Sequence, residues 1–155
     1  MQANESKLHE KDIQAFIDIT VNYFSHSFNE EPSVGIPYLK TATEEIIGDF
    51  TGIIGISGER KGCIYITAPE AMLAELLKEI GEEEATVEIL TDMVGEIANT
   101  ISGNVRNVFG SNFMISVPIS IAGKPENIKM PQNIPIYVVP ISWKKHKFYL
   151  VLGIE

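Results

Sequence analysis

The sequence has a single cysteine, few basic residues relative to acidic ones and no long apolar run, and each shortage excludes a class of protein. Cys63 has no partner for an internal disulfide, and the alternating apolar residues around it predict a buried, reduced thiol with a structural role. The 21 acidic and 12 basic residues give a net charge of −9. Such a chain repels a phosphate backbone, so we expect no nucleic-acid partner.

Signals for membranes and secretion are also lacking. The longest apolar runs, such as residues 134–141, are broken by Gly, Pro or polar residues well short of a membrane span, so we expect no membrane insertion. Residues 1–11 are polar and charged and lack the apolar stretch of a secretory signal, which predicts a cytoplasmic protein. A length of 155 residues with 45% hydrophobic content predicts one domain, residues 1–155, around one core.

Familiar metal and phosphate motifs are missing. His9, His26 and His146 are far apart in sequence and are predicted to be surface residues, and no Cys/His or Asp/Glu spacing fits a metal template. The glycines of residues 52–55 lack the lysine and the following helix of a phosphate-binding loop. We therefore expect this chain to hold no metal and no cofactor of its own.

Hydrophobic periodicity predicts three helices and six β-rich stretches. The helices are predicted over residues 12–28, 69–80 and 82–109, the last beginning at the acidic run of residues 82–84, where negative charge suits exposed amides. The β-rich stretches are residues 34–39, 46–57, 62–67, 113–121, 134–143 and 148–154. Trp143, with Lys144, Lys145 and Lys147 around it, is interpreted as a solvated β-turn in preference to a small binding patch.

The order of these elements, αβββ, a short helix and αβββ again, indicates an internal duplication. We predict a single α+β domain, called α/β in some schemes. Its pseudo-duplicated αβββ halves share a largely antiparallel sheet, and its long helices present the active face.

The third helix is amphipathic, and its polar side holds the candidate functional residues. Steps of about 100° per residue predict a core-facing side and an outward side. Glu96 and Asn99 on the outward side are three positions apart, so their Cβ atoms should lie about 5–6 Å from each other. The missing side chain of Gly103 would let another molecule come close. The core-facing residues are Leu90, Val94, Ile97, Ile101, Val105 and Val108, and the outward residues are Asp92, Glu96, Asn99, Gly103 and Asn107.

Residues 95–104, with the sequence GEIANTISGN, resemble the E-x-x-N signature helix of the CheC/CheX/FliY family of bacterial chemotaxis phosphatases. Glu96 and Asn99 match the motif residue for residue. The single copy of the motif, the chain length and the element order favour the CheX branch of the family. Members that resemble CheC carry the motif in both halves. The outward face of the first helix carries its acid and amide four positions apart, so no activity is assigned to its residues Gln14, Asp18, Asn22 and Ser25.

The resemblance implies a phosphatase that removes the aspartyl-phosphate of a CheY-like response regulator. Glu96 and Asn99 would be catalytic, and Asp92, Gly103 and Asn107 would contact the partner. Mg²⁺ would be bound by the regulator, and the protein would form a homodimer through strands at the sheet edge.

Other interpretations of the same residues remain open. The helix could dock a response regulator or a motor-switch protein without hydrolysis. A less favoured possibility is a small-ligand sensor with an enclosed apolar pocket away from the third helix. Without the resemblance, Glu96 and Asn99 would be read as an ordinary solvated helix face.

Overall fold

The computed structural model describes residues 8–125, 128–131 and 133–155, which form three helices and eight strands. The predicted cytoplasmic location rests on the polar residues 1–11. Of these, residues 1–7 lie outside the described residues. None of the helices in the described ranges is both long and apolar enough to cross a bilayer. The elements are α1 Glu10–Phe28, β1 Ser33–Val34, β2 Tyr38–Leu39, β3 Phe50–Gly58, β4 Gly62–Ala68, α2 Glu70–Glu79, α3 Val87–Phe109, β5 Phe113–Ile115, β6 Ile119–Ala122, β7 Tyr137–Trp143 and β8 His146–Ile154.

The strands form one eight-stranded sheet in the order β1-β7-β8-β4-β3-β5, with β2 also paired to β7 and β6 to β3. All of these pairings are antiparallel. The short strands β1 and β2 of the first half pair with β7 of the second half, and β5 and β6 of the second half pair with β3 of the first. This reciprocal exchange confirms the predicted α+β fold, because each half completes the sheet of the other.

The two faces of the sheet are covered differently. One face lies under the helices and forms the main core, in which Phe24 of α1 packs near Phe148 of β8 with ring centroids 5.0 Å apart. The other face carries a smaller cluster that includes Tyr65 and Val151 and is covered by loop residues such as Met130. Successive side chains along each strand point to opposite faces, so the same strands supply both surfaces.

Cys63 lies on the second face, where it is half-buried. Its Sγ lies 3.4 Å from Sδ of Met130. Burial raises the pKa of the Cys63 thiol to about 11, so the thiol stays protonated at neutral pH. The protonated form is a poor nucleophile, which supports the structural interpretation of this cysteine.

Two of the predicted strands are each divided into shorter pieces. Residues 34–39 contain β1 and β2, separated by residues 35–37, and residues 113–121 contain β5 and β6, separated by residues 116–118. A proline, Pro37 or Pro118, lies in each gap and lacks the N–H that a continuous ladder requires. Two other strands begin later than predicted, β3 at Phe50 and β7 at Tyr137.

The third helix starts later than the acidic run that was predicted to begin it. Thr86 caps α3, its Oγ1 accepting a hydrogen bond of 3.2 Å from the Ile89 N–H, so the helix begins at Val87. The prediction that Val108 faces the core is also wrong, since its side chain is 63% exposed. Val108 belongs to the last turn of α3, and none of the described core clusters reaches it.

The turn between β7 and β8 differs from the predicted solvated turn. Lys144 and Lys145 are exposed, as predicted, but Trp143 is fully buried and His146 is only 8% exposed, so the surface assignment is wrong for both. Phe28 of α1 covers the Trp143 ring with centroids 6.2 Å apart. Lys144 Nζ lies 4.8 Å from the centre of the same ring and donates a 2.6 Å hydrogen bond to Glu79 of α2.

Helix α3 lies directly on the backbone of β3. A Cβ atom added at Gly52 would lie 2.5 Å from the carbonyl oxygen of Val94 and 3.2 Å from the Cβ of Ala98. The first distance is too short for any Cβ contact, and the second is tighter than most such contacts. Because Gly52 has no side chain, α3 can lie this close to the backbone of β3.

The close approach can be tested with two glycine substitutions. Gly52→Ala should lower the free energy of unfolding by about 1–3 kcal/mol, because the new methyl group must push α3 away from β3. Gly103→Ala is the matched control on α3: a Cβ there has no neighbour within 4 Å, and alanine should stabilise the helix by up to about 1 kcal/mol. Urea unfolding measures both changes. Equal stability of Gly52→Ala and the wild type would contradict the proposed packing.

Candidate functional site

The buried and exposed sides of α3 follow the predicted faces closely. Glu96 and Asn99 are both exposed. They differ by about 60° around the helix axis, so they project from the same side of α3. The buried residues of α3 are Leu90, Val94, Gly95, Ile97, Ala98, Ile101, Ser102 and Val105.

The three predicted partner contacts lie on this same side. Asp92 and Asn107 are exposed, and Gly103 is half-buried with open space where a Cβ would be. These residues and the acid/amide pair follow one another along a single helix and form a continuous polar strip. We call this strip, made of Asp92, Glu96, Asn99, Gly103 and Asn107, the polar strip of α3.

The side chains of α3 that do make hydrogen bonds are not those of the proposed pair. Thr91 Oγ1 donates to the Val87 carbonyl at 2.6 Å, and Arg106 Nε donates to the Phe113 carbonyl at 3.1 Å. Within the described ranges, neither the Glu96 carboxylate nor the Asn99 amide is engaged in a side-chain hydrogen bond or an ion pair. Both groups are therefore available to another molecule.

The backbone beneath Glu96 is held from two directions. Val94 and Ala98 rest on Gly52 of β3, as described above. On the adjoining side, Gly95 faces Ser120 of β6, whose Oγ occupies the place that a Cβ at position 95 would need. Contacts on both sides of residue 96 fix where its carboxylate leaves the helix.

A tyrosine of α1 lies beside this carboxylate. Burial, and secondly the charge of Glu96, raises the pKa of the Tyr23 hydroxyl to about 12, so the phenol is neutral at physiological pH. Tyr23 was not among the residues predicted to neighbour the site. The signal was a polar hydroxyl next to the apolar stripe of α1, but its neighbour on α3 is more than 70 residues away in the chain.

The outward face of α1 has a different arrangement. Gln14 Nε2 donates a 2.8 Å hydrogen bond to Oδ1 of Asp18, so this carboxylate already has a partner within its own helix. Asn22 is exposed and Ser25 is half-buried. The acid and amide of α1 are therefore unlike the free pair of α3, although α1 and α3 occupy corresponding places in the two halves.

No group of three or more His, Cys, Asp or Glu side chains in the described ranges is arranged to hold a metal ion. The polar strip of α3 offers two carboxylates, Asp92 and Glu96, and amide groups that can donate and accept hydrogen bonds. Such a surface suits contact with another macromolecule that presents basic groups.

Comparison with known proteins gives a family match that covers more than half of the chain. The sequence model of the family described as Chemotaxis phosphatase CheX matches residues 50–142, a range that contains all of α3. No curated protein matches the sequence.

Solved structures share the fold over almost the full chain. A CheC-like superfamily protein from Shewanella sp. PV-4 superposes with a TM-score of 0.84 at 29% identity, covering 96% of this chain and 99% of that one. Chemotaxis protein CheX from Vibrio vulnificus gives a TM-score of 0.82 at 26% identity, covering 94% and 99%. The CheX–CheY–BeF3–Mg²⁺ complex from Borrelia burgdorferi gives 0.74 at 21% identity, covering 92% and 97%, which shows a shared fold.

The contact between Gly95 and Ser120 can be tested with one destabilising substitution and a second substitution that should compensate for it. Gly95→Ala should destabilise the protein, because the new methyl group collides with Ser120 Oγ. The double variant Gly95→Ala/Ser120→Ala should recover wild-type stability, because the neighbours that remain, the Cβ of residue 120 at 3.4 Å and the Pro118 Cβ at 3.7 Å, are at ordinary contact distances. Thermal unfolding of the double variant and both single variants measures this coupling. If the two single changes are simply additive, the contact does not position the helix.

Proposed function

This chain belongs to the CheX family of chemotaxis phosphatases, and from that premise we propose that it hydrolyses the aspartyl-phosphate of a CheY-like response regulator with Glu96 and Asn99. The observation that carries the proposal is the free acid/amide pair on a helix seated directly on the sheet. A pair presented in this way can enter the active site of a second protein without first moving any element of its own chain.

Asn99 is proposed to orient the attacking water. Its amide can accept a hydrogen bond from that water and donate one to a phosphoryl oxygen, but it has no useful basicity near neutral pH. In the reaction, the water oxygen forms a bond to phosphorus while the bond from phosphorus to the aspartyl oxygen breaks. The products are inorganic phosphate, formed as H2PO4− with both protons of the water, and the free aspartate carboxylate. Orientation alone lowers the barrier of such a step.

Glu96 is proposed to anchor the regulator. An exposed carboxylate can pair with a lysine beside the phosphorylated aspartate of the partner, and this contact would hold Asn99 over the phosphorus atom. Asp92, Gly103 and Asn107 would extend the contact along the polar strip of α3. A family relative, CheX from Borrelia burgdorferi, has been solved in complex with CheY, BeF3 and Mg²⁺, which supports a regulator as the partner.

The divalent metal of this reaction is proposed to belong to the regulator. Mg²⁺ bound there would neutralise charge on the phosphoryl oxygens, while this chain contributes the amide and the anchoring carboxylate. We retain the cytoplasm as the predicted location, since the proposed partner would have to meet the protein there.

The oligomeric state is proposed to be a homodimer joined at a sheet edge. Both edges carry short strands with exposed apolar residues: Ile36 is 87% exposed beside β1 and β2, and Val117 is 80% exposed between β5 and β6. Unpaired backbone groups at such edges can pair with a second copy of the sheet.

Hydrolysis is tested with the two site residues. In the presence of Mg²⁺, the wild type should accelerate phosphate release from a phosphorylated CheY-like regulator, and Asn99→Ala should reduce that acceleration about 100-fold or more while binding persists. Glu96→Gln should mainly raise KM, because it removes the charge that anchors the partner. Asn112→Ala, a change at an exposed asparagine outside α3, is the control and should behave as the wild type.

The same assay separates hydrolysis from docking alone. A binding module would capture the BeF3-activated regulator without accelerating phosphate release, and Asn99→Ala would then have little effect on either quantity. Failure of the wild-type protein to accelerate release from any regulator tried, with binding intact, would establish the docking alternative.

The dimer has an independent test. Light scattering after gel filtration should give a mass of about twice the 17.2 kDa of the chain. Lysine at the pairing edge, either Ile36→Lys or Val117→Lys, should produce a monomer, because a charged side chain opposes strand pairing there. A monomeric wild type, or a dimer that survives both changes, contradicts the proposed edge contact.

A further inference from the structure

Next to Glu96, the three helices surround an open hollow of about 390 Å³. Tyr23 and Phe28 of α1 form one wall, Leu77 and Ile80 at the end of α2 form the second, and Met93 and Glu96 of α3 are on the third. The hollow opens on the same side of the molecule as the polar strip, because Asp92 and Glu96 lie on its rim.

The hollow has an apolar interior and a charged margin. Phe28 and Leu77 are 3% and 4% exposed, whereas Ile80, the C-cap residue that follows α2, keeps 57% of its surface exposed. An isoleucine at the mouth of an apolar hollow extends that apolar surface outwards. A partner seated in the hollow would bury this exposed apolar surface.

The charges around the hollow restrict what can occupy it. Its lining contains two carboxylates, Asp92 and Glu96, and no basic side chain. The Tyr23 phenol in the same lining is neutral at physiological pH, so the charge of the lining is that of the two carboxylates. An occupant that carries an apolar group next to a basic group would satisfy both the interior and the rim.

We infer that the hollow between α1, α2 and α3 is a second contact site for the response regulator, where it binds an apolar side chain that neighbours the basic residue paired with Glu96. The inference rests on the proposed function, because Glu96 is shared by the hollow and by the proposed catalytic pair. Asn99 does not line the hollow. The hollow therefore determines which regulator binds and how tightly, and leaves the chemical step to Asn99.

Ile80→Ser tests the contact at an exposed position where the substitution spares the core. The probe is a purified CheY-like regulator phosphorylated with acetyl phosphate in Mg²⁺. We expect KM to rise roughly tenfold with kcat unchanged, the effect of losing one buried apolar contact. Val108→Ser is the matched control, since Val108 is 63% exposed, lies at the far end of α3 and is absent from the lining. It should leave KM unchanged.

Ser27→Trp provides a second variant, which fills the hollow from its rim. Ser27 is exposed and lines the hollow, so a tryptophan there can block entry without repacking the core. KM should again rise while kcat and the melting temperature stay close to wild type. Binding of the BeF3-activated regulator, measured by calorimetry, should weaken in parallel for Ile80→Ser and Ser27→Trp.

Several results would overturn the inference. An unchanged KM in both variants would do so, as would a fall in kcat without a change in KM, or an equal effect of Val108→Ser. Conversion of a wild-type dimer into a monomer by Ile80→Ser would show that a second copy of this chain occupies the hollow. These outcomes are distinct from failure of the proposed function, which would appear as a wild-type protein that accelerates no phosphate release.

Discussion

Helix α3 rests on strand β3 through backbone atoms, with the Val94 carbonyl above Gly52 and no side chain between them. This contact fixes the height of the helix over the sheet, and the meeting of Gly95 with Ser120 fixes it from the neighbouring strand. The proposed function requires that the acid and the amide be held to within about half an ångström and that no neighbour cover them. Bracing from below meets this demand, because it leaves Glu96 and Asn99 free above.

The duplicated sheet explains how so small a domain supplies a firm base. Strands β4 and β8 meet at the centre, and the short strands of each half attach to the long hairpin of the other half. Neither half can complete its sheet without its counterpart. The duplication has not preserved equal surfaces, however, since Asp18 of α1 is bound by Gln14 within its helix while Glu96 of α3 has no such partner among the described residues. One helix serves the packing, and its counterpart presents the free pair.

Acidic charge and apolar surface lie side by side on the face that carries Glu96. The carboxylates of Asp92 and Glu96 border the hollow, whose other walls come from α1 and α2. Charge directs a basic partner and excludes an acidic one, whereas apolar contact adds affinity once the partner is in place. Under the proposed function, the three-helix junction would recognise the partner, and the single helix that carries Asn99 would supply the chemistry.

The sequence alone determined the features that follow from local periodicity. The 3.6-residue repeat from Leu90 to Val105 predicted the buried side of α3, and the outward positions of Glu96 and Asn99 followed from the same repeat. The tertiary structure decided the features that depend on residues distant along the chain. Trp143 is buried because Phe28 covers it, and Tyr23 reaches Glu96 only because α1 packs against α3. A repeat within one element records which side faces inward, but it holds no information about what another element places there.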